Sequence, residues 1–137
     1  MLSGDIGLIG YGNSVYEKRA TRTEYSYLAE AARAALASAG VDKAEIDGLA
    51  ISSTTLPPDN AATAAEYLGL ELSWASVSTA GGAGAVISAI NAVEAVERGK
   101  AKYVLCLAGG AQDMAFFQDR MLRFNTAIAD YLAPHGF

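Results

Sequence analysis

Residues 75–86 read ASVSTAGGAGAV, and this stretch decides the fold. It begins with the pattern of a buried strand, passes through a glycine-rich turn and continues as a helix. Such a turn directs free backbone N–H groups and the positive end of the helix dipole towards whatever lies above it. It is therefore a suitable position for a nucleophile or for binding an oxyanion. The tip of the turn consists of Gly81, Gly82, Ala83 and Gly84, so no nucleophilic side chain stands at this position.

Composition and charge narrow the class of protein. With 137 residues, of which 52% are hydrophobic, the chain can bury one core. Its net charge of -5 and its scattered basic residues argue against nucleic acid as the main ligand, since phosphate contacts need clustered Lys and Arg. Cys106 is the single cysteine and no cationic, apolar leader precedes Gly4, so we expect a cytoplasmic protein. The uncharged residues 72–93 are divided by the turn, which argues against a membrane span.

Predicted strands and helices alternate along the chain. The strand patterns cover residues 6–9, 48–52, 74–78 and 103–108, and the helix patterns cover residues 23–39, 60–68 and 83–98. The order βαβαβαβ predicts an α/β fold with a mostly parallel sheet and helices on both faces. We expect helix 83–98 to be the most buried, because Val86, Ile90 and Val93 leave little polar surface before Glu97.

The pattern changes after Gly110. Apolar side chains are then interleaved with charged ones, and the chain finishes in a loop-like sequence, residues 134–137. We therefore predict one α/β domain over residues 1–112 and the start of a second unit over residues 113–137. We also expect the sequence to be a piece of a longer polypeptide.

Three segments together resemble the N-terminal half of a thiolase. They are TRTEYSYLAEAARAALASAGVDKAEIDGLA at residues 21–50, the glycine turn with its helix, and ERGKAKYVLCLAGGAQDM at residues 97–114. The nearest group is that of the sterol-carrier-protein-X-like thiolases and their lipid-transfer relatives. The resemblance implies a homodimer that acts on acyl-CoA, with the coenzyme A thioester as substrate and no cofactor. It also implies that YLAPHGF at residues 131–137 begins a loop domain, and that a second half with a catalytic His and a second Cys is missing.

The resemblance fails at one position of the turn. In thiolases the turn reads roughly Cys-x-Ser-Gly, and the cysteine is acylated because the helix N-terminus lowers its pKa and backbone N–H groups hold the oxyanion. That cysteine falls on Gly81 or Gly82, whereas Gly84 matches the pattern. Relatives that also lack the cysteine are similar to enzymes that split a β-hydroxyacyl-CoA by retro-aldol cleavage. A small zinc-ribbon and OB-fold protein is often their partner.

The candidate substrate-binding residues are the four residues of the turn, together with Ser78 and Thr79 before it. The two hydroxyls could bond a thioester, or they could satisfy local backbone groups. The glycines could instead serve close packing or a dimer contact. Cys106 is predicted to be a quiet core residue and His135 a solvated loop residue. No catalytic base or metal ligand is evident.

These observations leave three functions open. The first is a thiolase-fold subunit that catalyses a non-covalent, retro-aldol cleavage of an acyl-CoA in lipid or steroid degradation. The second is a non-catalytic thiolase-like subunit that binds acyl-CoA or lipid or has a structural role in a complex. The third is an acetyl-CoA acetyltransferase. Sequence beyond Phe137 would discriminate among them. By resemblance, the strand that contains Trp74 is the dimer element.

Overall fold

The structure is a computed structural model, and it describes residues 5–53, 55–56 and 60–110. The predicted start of a loop domain at residues 113–137, the domain boundary before it and His135 lie outside the described residues. The elements in chain order are α1 (Glu24–Ala39), a 3-10 turn (Lys43–Glu45), β1 (Gly48–Ser52), α2 (Asn60–Leu68), β2 (Trp74–Ser78), a second 3-10 turn (Gly81–Ala83), α3 (Gly84–Glu97) and β3 (Val104–Ala108).

Helix α1 shows how the local sequence sets the limits of an element. The Thr23 side chain accepts a hydrogen bond from the N–H of Ser26 and so caps the first turn. The helix ends where Gly40 adopts a φ of 65°, a conformation that glycine reaches without a Cβ clash, and its N–H donates to the Leu36 carbonyl. Both limits agree with the signals in the sequence.

The three strands form one parallel sheet with β1 in the centre. The order is β2-β1-β3, with Gly48 opposite both Trp74 and Val104, and Ser52 at the other end of the register. All five residues of β1 are buried, as expected for a central strand of a parallel sheet. Helices α1 and α2 cover one face, where they contact the main apolar core, and α3 covers the other. The predicted α/β class and parallel sheet are confirmed.

Asp47 joins the amino ends of the three strands. Its carboxylate accepts hydrogen bonds from the backbone N–H groups of Lys102, at 2.8 Å, and Tyr103, at 2.9 Å. Its carbonyl accepts from the N–H of Ser73, at 2.8 Å, and from the N–H of Trp74, at 3.2 Å. One residue just before β1 therefore fixes the entry points of β2 and β3 on either side.

Helix α3 has more buried residues than α1 or α2, but they are not the large aliphatic residues on which the prediction rested. Val86 is 65% exposed and Ile90 is 45% exposed. The side of α3 that faces the sheet is formed instead by its small residues, Gly84, Ser88, Ala92 and Ala95. Small residues on one side let the helix approach the sheet closely, so its larger aliphatic side chains point away from it.

The prediction that residues 6–9 form a buried strand of the sheet is wrong. Leu8 is 91% exposed, and no strand is assigned to this segment. The segment instead crosses α1 at two glycines. A Cβ on Gly10 would lie 2.6 Å from both the carbonyl oxygen and the Cβ of neighbouring α1 residues, and Gly12 is equally close to the helix. The segment therefore packs on α1 without pairing with β3.

Candidate functional site

The carboxyl ends of the three strands meet at one edge of the sheet. Ser52, Ser78 and Ala108 stand side by side in the register there. Ligands of open α/β sheets bind outside this edge. The glycine turn follows directly after Ser78, so the candidate site of the sequence lies at the edge where the fold favours a ligand.

The turn is open above its first two glycines. Gly81 has a φ of 57°, and an ideal Cβ on Gly81 or Gly82 would meet no neighbouring atom within 4 Å. No side chain caps the start of the second 3-10 turn or of α3. A ligand could therefore approach the backbone at this point.

Only part of the turn can donate hydrogen bonds to a ligand. The N–H of Ala83 donates to the Ala80 carbonyl, and the N–H of Gly84 donates to the Gly81 carbonyl. Within the described part of the chain, the N–H groups of Gly81 and Gly82 make no hydrogen bond. These two donors at the positive end of α3 are the groups that can bind an oxyanion.

Gly84 lies against the hydroxyls at the strand ends. A Cβ at this position would overlap the Oγ of Ser52 and would lie 3.4 Å from the Oγ of Ser78. One turn further along α3, Ser88 is only 1% exposed, and its Oγ has no hydrogen-bond partner. The first turn of α3 therefore rests on a layer of hydroxyl groups and not on an apolar surface.

A second group of hydroxyls follows β1. The Oγ of Ser53 accepts hydrogen bonds from the N–H groups of Thr55, at 3.2 Å, and Leu56, at 3.3 Å. A Cβ on Gly110, just after β3, would overlap the Thr55 hydroxyl. The segment after β1 therefore lies against the residue that follows β3, at the carboxyl ends of the strands. Asn60, at the start of α2, is buried with its Oδ1 unpartnered.

The predicted site residues are brought together with one change of role. Gly81, Gly82 and Thr79 are exposed, whereas Ser78 is buried beneath the turn and does not face outwards. Sequence reasoning missed Ser52, Ser53 and Thr55. The available signal was SSTT at residues 52–55, a run of hydroxyl residues that begins at the last residue of a predicted strand.

Cys106 is not a core residue. Its side chain is exposed on β3, the strand that ends the sheet on one side. The atoms around it still raise the pKa of the Cys106 thiol by desolvation. The thiol lies two residues before the carboxyl end of the strand and is not one of the groups at the turn. Its exposure corrects the prediction, whereas the raised pKa agrees with a quiet thiol.

The chemistry of the candidate site rests on neutral groups. The residues at the turn and strand ends supply hydroxyls, one amide and backbone N–H groups. No cluster of three or more His, Cys, Asp or Glu residues that could hold a metal ion occurs in residues 5–53, 55–56 and 60–110. In the same residues, no helix is long and apolar enough to cross a membrane.

Comparison with known proteins places the fold. No protein-family model and no curated protein matches the sequence. A solved structure described as an Ltp2-ChsH2(DUF35) aldolase matches at 27% identity with a TM-score of 0.70, over 93% of this chain and 32% of that one. A monomeric SCP2-thiolase like protein type 1 from Mycobacterium smegmatis matches at 22% identity with a TM-score of 0.59, over 77% and 23%. The chain thus has a thiolase-like α/β fold and spans a third or less of the chains it matches.

Proposed function

We propose that this chain forms part of a thiolase-fold enzyme that cleaves a carbon–carbon bond of an acyl-CoA without an acyl-enzyme, in a retro-aldol reaction. One observation carries the proposal. The turn before α3 keeps two free N–H donors, on Gly81 and Gly82, beneath open space, but has no nucleophile. The likeness to a structure described as an aldolase supports this reaction type over thiolysis.

The groups of this turn that the reaction requires are the two N–H donors of Gly81 and Gly82. A base removes the proton of the β-hydroxyl, the bond between the α and β carbons breaks, and the β carbon leaves as a carbonyl compound. The electron pair forms a thioester enolate, which is then protonated on the α carbon. Two N–H donors fixed at the enolate oxygen stabilise this charge, and a single donor of this kind is worth about 100-fold or more in rate. The base and the proton donor come from residues outside the described part of the chain.

The hydroxyl layer holds the donors in place. Ser52 and Ser78 lie beneath Gly84, the residue on which α3 begins. If the N-terminus of α3 cannot move towards the sheet or tilt, the N–H groups of Gly81 and Gly82 keep pointing in one direction. Such preorganisation makes electrostatic stabilisation effective, because the donors need no rearrangement during the reaction.

Partners follow from the same comparison. The matched aldolase is described with a DUF35 component, and we propose a small zinc-ribbon and OB-fold protein as the partner here. We also propose a homodimer in the cytoplasm, formed through β2. This strand ends the described sheet on one side and carries the half-buried Trp74 and the exposed Val77. The relative from M. smegmatis is described as monomeric. The molecular mass of this protein in solution therefore tests whether it is a homodimer or a monomer.

A second candidate function is a non-catalytic acyl-CoA or lipid-binding subunit. It is favoured by one observation: among residues 5–53, 55–56 and 60–110, those at the turn and strand ends include no carboxylate, imidazole or thiol that could move a proton. Such a subunit would use the same turn to bind the thioester, while an active partner carried out the reaction.

The deciding experiment gives the complete assembly two substrates in parallel. One is a β-hydroxyacyl-CoA, and the other is a β-ketoacyl-CoA with free CoA. The proposal requires cleavage of the first and negligible thiolysis of the second, with no acyl adduct on this chain in intact mass spectra. Efficient CoA-dependent thiolysis or a trapped acyl-enzyme refutes it. Binding of both thioesters without turnover supports the non-catalytic subunit.

A further inference from the structure

A groove lies between α1 and α2, on the side of the sheet opposite α3. Positions 26, 29, 32 and 36 share one side of α1, because residues three or four apart are neighbours on a helix surface. The first three are Ser26, Ala29 and Ala32, whose side chains are too short to fill the space next to α2. The resulting cavity has a volume of about 420 Å³.

The floor and walls of this groove are largely apolar. Ala29 and Ala32 are buried, and the buried Leu105 contributes from β3 beneath the helices. Tyr67 forms part of the wall on the α2 side, and its ring packs against that of Tyr25, with centroids 5.7 Å apart. An aliphatic chain in the groove would therefore contact apolar groups on the floor and on both walls.

Two cationic side chains line the same groove, Arg33 of α1 and Lys43 of the first 3-10 turn. Within the described part of the chain, the Arg33 guanidinium forms no ion pair and no hydrogen bond. Lys43 donates one hydrogen bond, to the Leu68 carbonyl at 3.1 Å, and its ammonium group keeps further N–H donors. Among the described residues, none that lines the groove is Asp or Glu.

Glu30 is the nearest acidic residue to Arg33 along α1, but it is engaged elsewhere. Its carboxylate pairs with Arg22, at 2.7 Å, and accepts a hydrogen bond from the Val15 N–H. The hydrogen bond from Arg22 is the main cause that lowers the pKa of Glu30, and the charge of Arg33 contributes least. The positive charge at the groove therefore has no dedicated negative partner in this part of the chain.

We propose that this groove binds the anion of a short aliphatic carboxylic acid, with its carboxylate held by Arg33 and Lys43 and its chain against the alanines of α1 and Leu105. A guanidinium presents paired N–H donors that match the two oxygens of a carboxylate. Positive charge beside an apolar cavity selects a ligand that carries negative charge on an apolar chain. No residue of the glycine turn lines the groove, so the site is independent of the proposed reaction.

Other ligands fit this groove less well. Its volume lies within the range of small-molecule sites, about 300–1,000 Å³, whereas a stable protein interface covers about 800 Å² on each partner. A cationic ligand would be repelled by Arg33 and Lys43. A neutral apolar ligand would leave both charges without a partner next to the bound chain.

Equilibrium dialysis of the complete assembly against radiolabelled octanoate tests the site. We expect saturable binding with a dissociation constant of about 1 mM or lower. Octan-1-ol has a similar chain without the charge, and acetate has the charge with almost no chain. Each should compete at least about tenfold more weakly than octanoate itself. Equal competition by octan-1-ol, or the absence of saturable binding, overturns the proposal.

Matched variants locate the bound octanoate. Ser26→Leu fills the groove and should abolish binding, whereas Ala34→Leu places the same side chain on the exposed side of α1 and should not change it. Arg33→Gln should weaken binding about fivefold or more, whereas Lys100→Gln removes a positive charge outside the groove and should leave binding unchanged. Far-UV circular dichroism confirms that each variant is folded. Equal binding by Arg33→Gln and the unmodified protein overturns the proposal.

Two further measurements separate this groove from the substrate site at the turn. Gly82→Val blocks the turn and should still bind octanoate, so loss of binding in this variant would place octanoate at the turn and refute the groove. A photoreactive octanoate with a terminal diazirine should label α1 and α2 on irradiation, as peptide mass spectrometry would show. Labelling confined to other segments would also refute it. Failure of the proposed cleavage reaction changes none of these results.

Discussion

The Oγ of Ser52 occupies the space that a Cβ on Gly84 would need. These two residues are the last of β1 and the first of α3, so one contact sets the distance between the central strand and the helix that carries the candidate site. The glycine is required here by its neighbour and not by its backbone angle, since its φ of -58° is open to any residue.

Replacing this glycine should therefore be costly, and the cost should depend on Ser52. Gly84→Ala forces the added methyl into the serine hydroxyl, and we expect a loss of about 1–3 kcal/mol in the free energy of unfolding. Ser52→Gly in the same chain should restore much of it. Urea denaturation of both single variants and the double variant measures the coupling, and additive effects would contradict the contact. Gly82→Ala is the control, because its methyl would enter open space.

Filling the space above the turn should stop the reaction without unfolding the chain. A valine at Gly82 meets no protein atom at its Cβ, so far-UV circular dichroism should stay unchanged. Its side chain would stand where the thioester must approach the N–H donors. We expect kcat/KM of the complete assembly for a β-hydroxyacyl-CoA to fall about 100-fold or more. Gly82→Ala should give an intermediate loss of kcat/KM. Full activity of the valine variant would show that the substrate binds elsewhere.

Cys106 should react slowly at neutral pH although it is exposed. Desolvation raises the pKa of its thiol, so less of the reactive thiolate is present than in an ordinary cysteine. Iodoacetamide should label the native protein more slowly than it labels glutathione at pH 7, and the rate should rise with pH beyond the point where glutathione levels off. Labelling should leave turnover intact. A faster rate than glutathione at pH 7 would indicate a lowered pKa and an active thiol.

Acid should release residues 15–22 from α1. The hydrogen bond from Tyr27, at 2.5 Å, lowers the pKa of Glu17, and the hydrogen bond from Arg22 lowers the pKa of Glu30. Carboxylates with a lowered pKa in the folded state stabilise it above their unfolded pKa, and this contribution disappears as the pH falls through the folded value. The Val15 amide, which donates to Glu30, should therefore lose protection below about pH 4.

The Glu30→Gln variant supplies the control for this pH dependence. Its amide side chain can still accept the hydrogen bond from Val15 but carries no charge to titrate. Exchange of the Val15 amide should then be less dependent on pH across the acid range. An unchanged pH profile in the variant would show that Glu30 is not the titrating group.

Sequence patterns predicted the elements that are stabilised locally. Strands 48–52 and 74–78 and helix 60–68 coincide with the observed limits, because turn residues and caps mark their ends. The segment at residues 6–9 has the apolar pattern of a strand but no partner within the described chain. The inward side of α3 was also missed, since apolarity does not show which residues approach the sheet. The contact between Ser52 and Gly84 joins positions 32 apart, and no local pattern reports such a fit.

The bonds of Asp47 give the sheet two mechanically different ends. At its amino end the three strands are fastened through one residue, while at its carboxyl end they pass into loops rich in glycine and hydroxyl residues. The amino end is thus the part of the sheet that fixes how the strands are arranged, and the carboxyl end is the part that a ligand can reach. Residue changes in the exposed loops of the carboxyl end can alter which molecule binds there, while the bonds of Asp47 continue to define the architecture. The same scaffold can in this way acquire new chemistry at small cost to folding.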